Sequence, residues 1–198
     1  MAVSSPGARS SRPLSADDWI RAAIDAIVQG GAAAVAVEPL AARLGATKGS
    51  FYHHFQNRDA LISAALEDWE REHTEAVIAR VELLPDPAER LRAIMAAAMA
   101  DRTGAIRDAA LVASATHALV KPVVARVTQR RISYMTQLCV ETGLPPDQAR
   151  RRVLLLYSSY LGLFNYIRVG LGSDLADAEL RAYTEEMLAA LVPAKSEP

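Results

Sequence analysis

A single cysteine, Cys139, stands among 198 residues, so no disulfide can close within the chain. That fits a reducing compartment. No run of about 18 uncharged apolar residues occurs, which argues against a membrane-spanning helix. Residues 1–13 are rich in Ser, Gly, Pro and Arg and lack the apolar centre of a secretory signal, so the expected location is the cytoplasm. Charge of one sign is lacking too. The formal net charge is -1, and residues 1–60 hold six Lys/Arg against five Asp/Glu. Any contact with nucleic acid must therefore rest on one small face, with modest non-specific affinity. Signatures of catalysis are equally scarce. Glu70-x-x-His73 is the one Glu-x-x-His pair, where a di-iron bundle needs two on separate helices. Gly170-x-Gly172 follows a helical pattern and lacks the third glycine of a dinucleotide loop. Neither a Gly-x-Ser-x-Gly elbow nor a Cys/His ligand set is present. We read the chain as no enzyme, with no catalytic residue, metal or cofactor, and Cys139 as an inert thiol within a helix.

No strand alternation is found either; what remains is helical periodicity from end to end, and the chain is predicted all-α. Ser15 with Asp18 forms a capping box, with Leu14 and Trp19 as a staple across it. Ile20, Ala23, Ile24, Ile27 and Val28 then carry a first helix to about Gly30. A second spans about Val37 to Leu44, with Pro39 in its first turn. After the next short helix, Asn57 caps a long one through Leu61, Ile62, Ala65, Leu66 and Trp69 to about Leu83. Pro85-Asp86-Pro87-Ala88-Glu89 starts another, with Asp86 as cap and Glu89 completing a second box, ending near Thr103-Gly104. Further helices are expected over Ala105–Ala118, Lys121–Thr142 (with Gly143 as terminator), from Pro145-Pro146-Asp147 through Val153–Val169, and over Ala176–Leu191 before Pro193.

The most informative stretch is Leu44-Gly45-Ala46-Thr47-Lys48-Gly49-Ser50-Phe51-Tyr52-His53-His54-Phe55. Gly45 suits the left-handed end of one helix and Thr47 the cap of the next. Phe51 and Phe55, four apart, share a face that must be buried. Thr47, Lys48, Ser50, Tyr52 and His53 point elsewhere. Their hydroxyls, cation and imidazole, beside the free N–H groups of a helix start, suit phosphates and base edges. Gly49 removes bulk where another backbone approaches. Helix, glycine-bearing turn and short polar helix together make the helix-turn-helix layout, whose second helix enters the major groove.

From about residue 15 to about 70 the sequence resembles TetR-type transcriptional regulators. The resemblance is carried by Leu40-Ala41, Leu44-Gly45-Ala46-Thr47-Lys48-Gly49-Ser50-Phe51-Tyr52, His54-Phe55 and Asn57-Arg58-Asp59-Ala60-Leu61. Together with the helical pattern and the arm's lack of anything to bury, it implies about nine helices: a disordered arm over 1–13, a three-helix helix-turn-helix DNA-binding domain over 14–60, and a ligand-binding and dimerisation domain over 61–198. It also implies a ligand-responsive regulator, a repressor that binds a double-stranded DNA operator as a homodimer and is released by a small-molecule effector. By the same resemblance Thr47, Lys48, Tyr52 and Arg58 hold phosphates, while Lys48, Gly49, Ser50 and His53 lie nearest the bases. Two positions depart from the pattern. Ala36 replaces a hydroxyl residue at the start of the second helix, and Arg58 replaces a lysine. Arg9 and Arg12 of the arm reach a phosphate or stay solvated.

His53 and His54 point about 100° apart on a helix, which disfavours a shared metal; His54 is read as packing against the domain. In the C-terminal region, polar or polarizable residues set in apolar helices are the candidates for a pocket lining: Trp69, Met95, Met99, His117, Tyr134, Tyr160 and Asn165. For Asn165 a bond across the dimer is an equal reading. The last two helices carry more apolar surface than one subunit hides, and the homodimer is expected to form through them. Two other functions stay open: a helical ligand- or partner-binding dimer with a vestigial reader, and a helical-bundle enzyme.

Overall fold

A computed structural model describes residues 14–172, 175 and 177–191. The arm with Arg9 and Arg12, and Pro193, lie outside the described residues. The described secondary structure is helical: α1 Ala16–Gly30, α2 Val37–Leu44, α3 Lys48–His54, α4 Arg58–Glu70, α5 Ala76–Val81, α6 Pro87–Ala100, α7 Arg102–Ala113, α8 Val120–Glu141, α9 Pro146–Arg168 and α10 Asp177–Leu191. A π-helical turn, Arg71–Glu75, joins α4 to α5 with helical backbone throughout. These three segments form one rod, which leaves nine helical rods among the described residues. No described helix is long and apolar enough to cross a membrane.

Helix ends follow local chemistry. Ser15 and Asp18 form the reciprocal box at α1, with the Ser15 N–H donating to Asp18 Oδ2 at 2.8 Å. Thr47, Asn57 and Asp86 each accept from a backbone N–H of the helix they start. At Asp86 the acceptance is from Ala88 N–H at 3.1 Å, a simple cap rather than the expected box with Glu89. The boundary near Gly104 also differs from expectation. There α6 stops at Ala100, and Asp101 caps α7 by accepting from Gly104 N–H at 2.9 Å. Gly104 is therefore not a terminator. A Cβ there would lie 2.1 Å from Asp101 Oδ2, so the glycine makes room for the capping carboxylate.

Two apolar clusters fill the molecule. The first joins α1 to α4 through Trp19, Ile27, Phe51, Leu61, Ile62 and Leu66, and recruits Leu111, Val120, Val124 and Val127 from α7 and α8. Trp19 meets Phe51 edge-on, with ring centroids 5.4 Å apart. The second lies between α5, α6, α8, α9 and α10, around Leu91, Leu138, Val153 and Phe164. Three rods supply both clusters: α4–α5 through Trp69 and then Ile78 and Val81, α7 through Leu111 and then Ala105 and Ala109, and α8 through Val124 and then Leu138. Cys139 is buried in the second cluster, where burial pushes its thiol up to about 11.

Candidate nucleic-acid interface and buried cavity

Helix α2 ends at Gly45, which takes the left-handed φ of 64° and lets Ala46 N–H bond Ala41 O at 2.8 Å. Only a residue without Cβ takes that φ at little cost, so the turn angle is set there. Thr47 then accepts from Ser50 N–H at 3.2 Å and starts α3. Phe51 is fully buried and Phe55 nearly so, and their stacked rings hold one face of α3 against α1. The opposite face is open. Thr47, Lys48, Gly49 and His53 are exposed, Ser50 is half-buried, and Tyr52 shows 60% of its surface. A Cβ at Gly49 would make only ordinary contact, 3.6 Å from Thr47 Oγ1. Nothing inside the chain requires glycine there; the room lies on the outer side.

Lys48 is not idle on this face. Its ammonium meets Glu38 Oε1 of α2 at 2.5 Å, with both side chains exposed. Lys48's hydrogen bond holds the Glu38 carboxyl below its ordinary value, and Glu38 in turn raises the Lys48 ammonium. Arg58 sits where expected at the start of α4, but its guanidinium turns inward. Nε donates to Val35 O at 2.5 Å and a terminal nitrogen to Ala32 O, so it braces the turn between α1 and α2. About a third of the side chain stays exposed. His54 Nε2 bonds Leu14 O at 3.0 Å, which ties α3 to the entry of α1. Ala36 starts α2 with no side-chain cap.

Behind this unit lies a cavity of about 140 Å³ between the π turn, α5, α6, α7, α8 and α9, which opens to solvent beside the exposed Ala97 and Asp101. One end is apolar, with Val77, Ile78, Ile94, Met95, Ala98, Met135 and Leu156. The other holds a buried ion pair. Asp108 of α7 accepts from Arg131 Nη1 at 2.6 Å, from Trp69 Nε1 at 2.7 Å and from the Tyr160 hydroxyl at 3.3 Å. Arg131 also donates to Thr74 Oγ1 at 2.8 Å and to His73 O at 3.0 Å, and stacks on the Trp69 ring. The π turn is what presents Thr74 and the His73 carbonyl together; such turns shift one residue out of register and often mark working sites. Burial opposes the Arg131 charge, but the Asp108 carboxylate outweighs it and raises the guanidinium. Burial and then the same carboxylate raise the Tyr160 hydroxyl. His73 is lowered by burial and next by the Arg107 cation, whose Nη1 lies 2.7 Å from His73 Nε2. Among the described residues no group of three or more His, Cys, Asp or Glu side chains is placed to hold a metal. Glu70 is instead paired with Arg126 and His73 with Arg107.

Residues 20–65 match the family model described as bacterial regulatory proteins, tetR family. The N-terminal unit is a TetR-family DNA-binding domain. No curated protein matches the chain. Solved structures share the whole fold. A transcriptional regulator from Rhodococcus sp. Rha1 superposes with a TM-score of 0.71 at 22% identity, over 90% of this chain and 96% of that one. A TetR-family regulator from Agrobacterium tumefaciens gives 0.72 at 23% identity, over 90% and 97%. FadR from Bacillus subtilis, solved in complex with stearoyl-CoA, gives 0.64 at 15% identity, over 89% and 97%.

The residues singled out for a pocket divide. Met95, Tyr134 and Tyr160 line the cavity. Trp69 lies behind it, its indole spent on Asp108. Met99 packs beside the second core without reaching the cavity, because it lies one position round α6 from Ala98. His117 sits between α7 and α8, with Nδ1 accepting from Leu119 N–H at 3.3 Å. Asn165 faces outward on α9, holding Arg168 at 2.8 Å. The residues that sequence reasoning passed over are the charged ones. A signal existed: Asp108 shares the buried side of α7 with Ala105 and Ala109, and Arg131 shares that of α8 with Val124, Val127 and Leu138. Opposite charges on two apolar stripes imply a pair.

Proposed function

We propose that the chain binds a palindromic operator as a two-fold dimer in the cytoplasm and acts as a repressor, released when a small, largely apolar effector occupies the cavity. The observation that carries this reading is the α4–α5 rod: α4 is packed against the DNA-binding unit, and the π turn forms a wall of the cavity. A molecule that displaces Thr74 or His73 therefore presses on the helix that seats α3. The FadR neighbour, solved with stearoyl-CoA, supports ligand binding as a use of this fold. A coupling of about 1–3 kcal/mol changes DNA affinity roughly 5–150-fold.

On DNA, Thr47, Lys48 and Tyr52 hold phosphates, with a phosphate taking the place of Glu38 at Lys48. Arg58 contributes from its exposed edge while bracing the turn behind α3. Lys48, Gly49, Ser50 and His53 face the bases. The dimer forms through α9 and α10. On α9 an exposed stripe runs Leu155, Ser159, Gly162, Tyr166 and Val169, with Leu155 71% and Val169 54% exposed. Small residues at its centre let two helices approach closely, and about 800 Å² per partner is ordinary for such a contact. Two copies of α3, roughly 34–36 Å apart, then read half-sites one DNA turn apart.

The test is binding of the purified protein to its own upstream DNA at several salt concentrations, beside the Lys48→Ala/Tyr52→Ala variant. Binding of the wild type should fall steeply with salt, and the variant should lose at least about tenfold in affinity while staying dimeric. A well-folded dimer that binds none of this DNA at low salt would sink the regulator reading and favour a vestigial reader.

A further inference from the structure

The cavity's size and charge balance point to the kind of molecule it takes. We infer that the effector is an uncharged molecule that seats about one ring in the cavity, bears a hydroxyl or carbonyl, and is neither a carboxylate nor an ammonium. This rests on the cavity being the effector site. Volume sets the first limit: the cavity measures about 140 Å³, and one of about 150 Å³ takes up benzene. Charge sets the second. Asp108 is satisfied by three donors and Arg131 by three acceptors within the chain, so the pair is neutral and occupied. A ligand carboxylate would have to pull Arg131 from Asp108 and leave that carboxylate buried without its partner, which is strongly unfavourable. A ligand ammonium would do the same to Arg131. His73 adds no charge, since Arg107 occupies its Nε2 and burial favours the neutral ring. Asp101, the remaining lining carboxylate, is exposed and already caps α7.

Polarity sets the third limit. Of the three lining tyrosines, Tyr160 gives its hydroxyl to Asp108, and the Tyr134 hydroxyl is buried out of contact with open space, with no hydrogen-bond partner among the described residues. Tyr157 is 7% exposed, and its hydroxyl makes no hydrogen bond with a described residue. It is the group left to meet a ligand's oxygen, while the ring rests among Ile78, Ile94, Met95 and Leu156.

Four size-matched probes separate these demands: benzyl alcohol, toluene, benzoate and benzylammonium, titrated calorimetrically into the full-length protein at pH 7, with octanoate as a chain control. Benzyl alcohol should bind at least about tenfold tighter than benzoate, benzylammonium or octanoate, and several-fold tighter than toluene. Tyr157→Phe should bring benzyl alcohol down to the level of toluene and leave toluene unchanged. Ala98→Leu, at a half-buried position on the cavity wall, should weaken both. Equal or tighter binding of either ion or of octanoate would overturn the inference, as would no binding by any probe. Operator release is measured separately on the same samples. Benzyl alcohol bound at the Tyr157 site without release would break the effector role of the cavity and leave its chemistry standing; release driven by benzoate would do the reverse.

Discussion

The two halves of this molecule are built on opposite rules. The cluster around Trp19 and Phe51 is closely packed from apolar side chains, with the Trp19 indole N–H buried and without a hydrogen-bond partner among the described residues, and Arg43 and Arg58 near it donate to backbone carbonyls. The cluster around Leu91 and Phe164 keeps a cavity, and Thr74 and Asp108, the buried polar or charged side chains among the described residues, sit at that cavity's edge. A closed core fixes geometry: a reader of DNA must hold its helix within a fraction of an ångström, and close packing does that. A receptor must admit something, and that leaves room and polar groups at a stability cost. The α4–α5 rod, like α7 and α8, has side chains in both clusters.

The sharpest way to break the comparison is a large-to-small change in each half. Phe51→Ala should cost about 3–5 kcal/mol, because nothing flexible lines that site to collapse into the hole. Its expected signature in chemical denaturation is a lowered midpoint, with DNA binding lost as α3 comes off α1. Asp108→Ala should cost slightly less, about 3–4 kcal/mol, by stranding the Arg131 charge. Here the halves part. Adding Arg131→Met to Asp108→Ala should restore most of the loss, since a neutral pair of similar volume needs no partner. No second change of this kind can rescue Phe51→Ala. Failure of Arg131→Met to rescue Asp108→Ala would mean that the ion pair is as fixed in shape as the aromatic cluster, and the contrast would fall.

How far each half was legible follows from the same difference. The signals at Gly45, Thr47, Phe51 and Phe55 are local: a turn angle, a cap and a four-residue spacing, all within a dozen positions. So α2 and α3 are found where the sequence puts them. The cavity draws Thr74, Asp108, Arg131 and Tyr160 from four helices far apart in the chain, and no spacing rule connects them. Searching for polarizable residues found Met95, Tyr134 and Tyr160. The same search passed over Asp108 and Arg131, because charged residues read as solvated faces unless the stripe they lie on is checked. The π turn left no mark at all. No glycine or proline flags Arg71–Glu75; it exists because Arg131, some fifty-seven positions later, pairs with Thr74 and the His73 carbonyl. Arg58 shows the limit of resemblance. Its position and charge suit a phosphate, while its bonds to Val35 and Ala32 come only with the turn folded.

A gentler change sharpens the contrast at the DNA face. Gly49→Ala has room within the chain, at 3.6 Å from Thr47 Oγ1, and alanine favours a helix. Stability should rise slightly or stay level, while operator affinity falls by about tenfold if a DNA backbone fills that space. Gel-shift titration beside thermal unfolding separates the two. Unchanged affinity would show that α3 meets the groove through another edge, turned away from Gly49.

The smallest expected effect lies in the receptor half and depends on pH. His73 titrates below its ordinary value near 6.5 in the folded protein, through burial and then the Arg107 cation. The unfolded chain therefore takes up a proton first as the pH falls, so this histidine favours unfolding below about 6.5 and contributes nothing above it. Stability should accordingly decline from neutral pH downward, and His73→Gln should flatten that decline without altering stability at pH 8. Denaturant midpoints between pH 8 and pH 5 decide it. A slope left unchanged by His73→Gln would place the pH sensitivity outside the cavity, and the receptor half would lose this distinction from the reader.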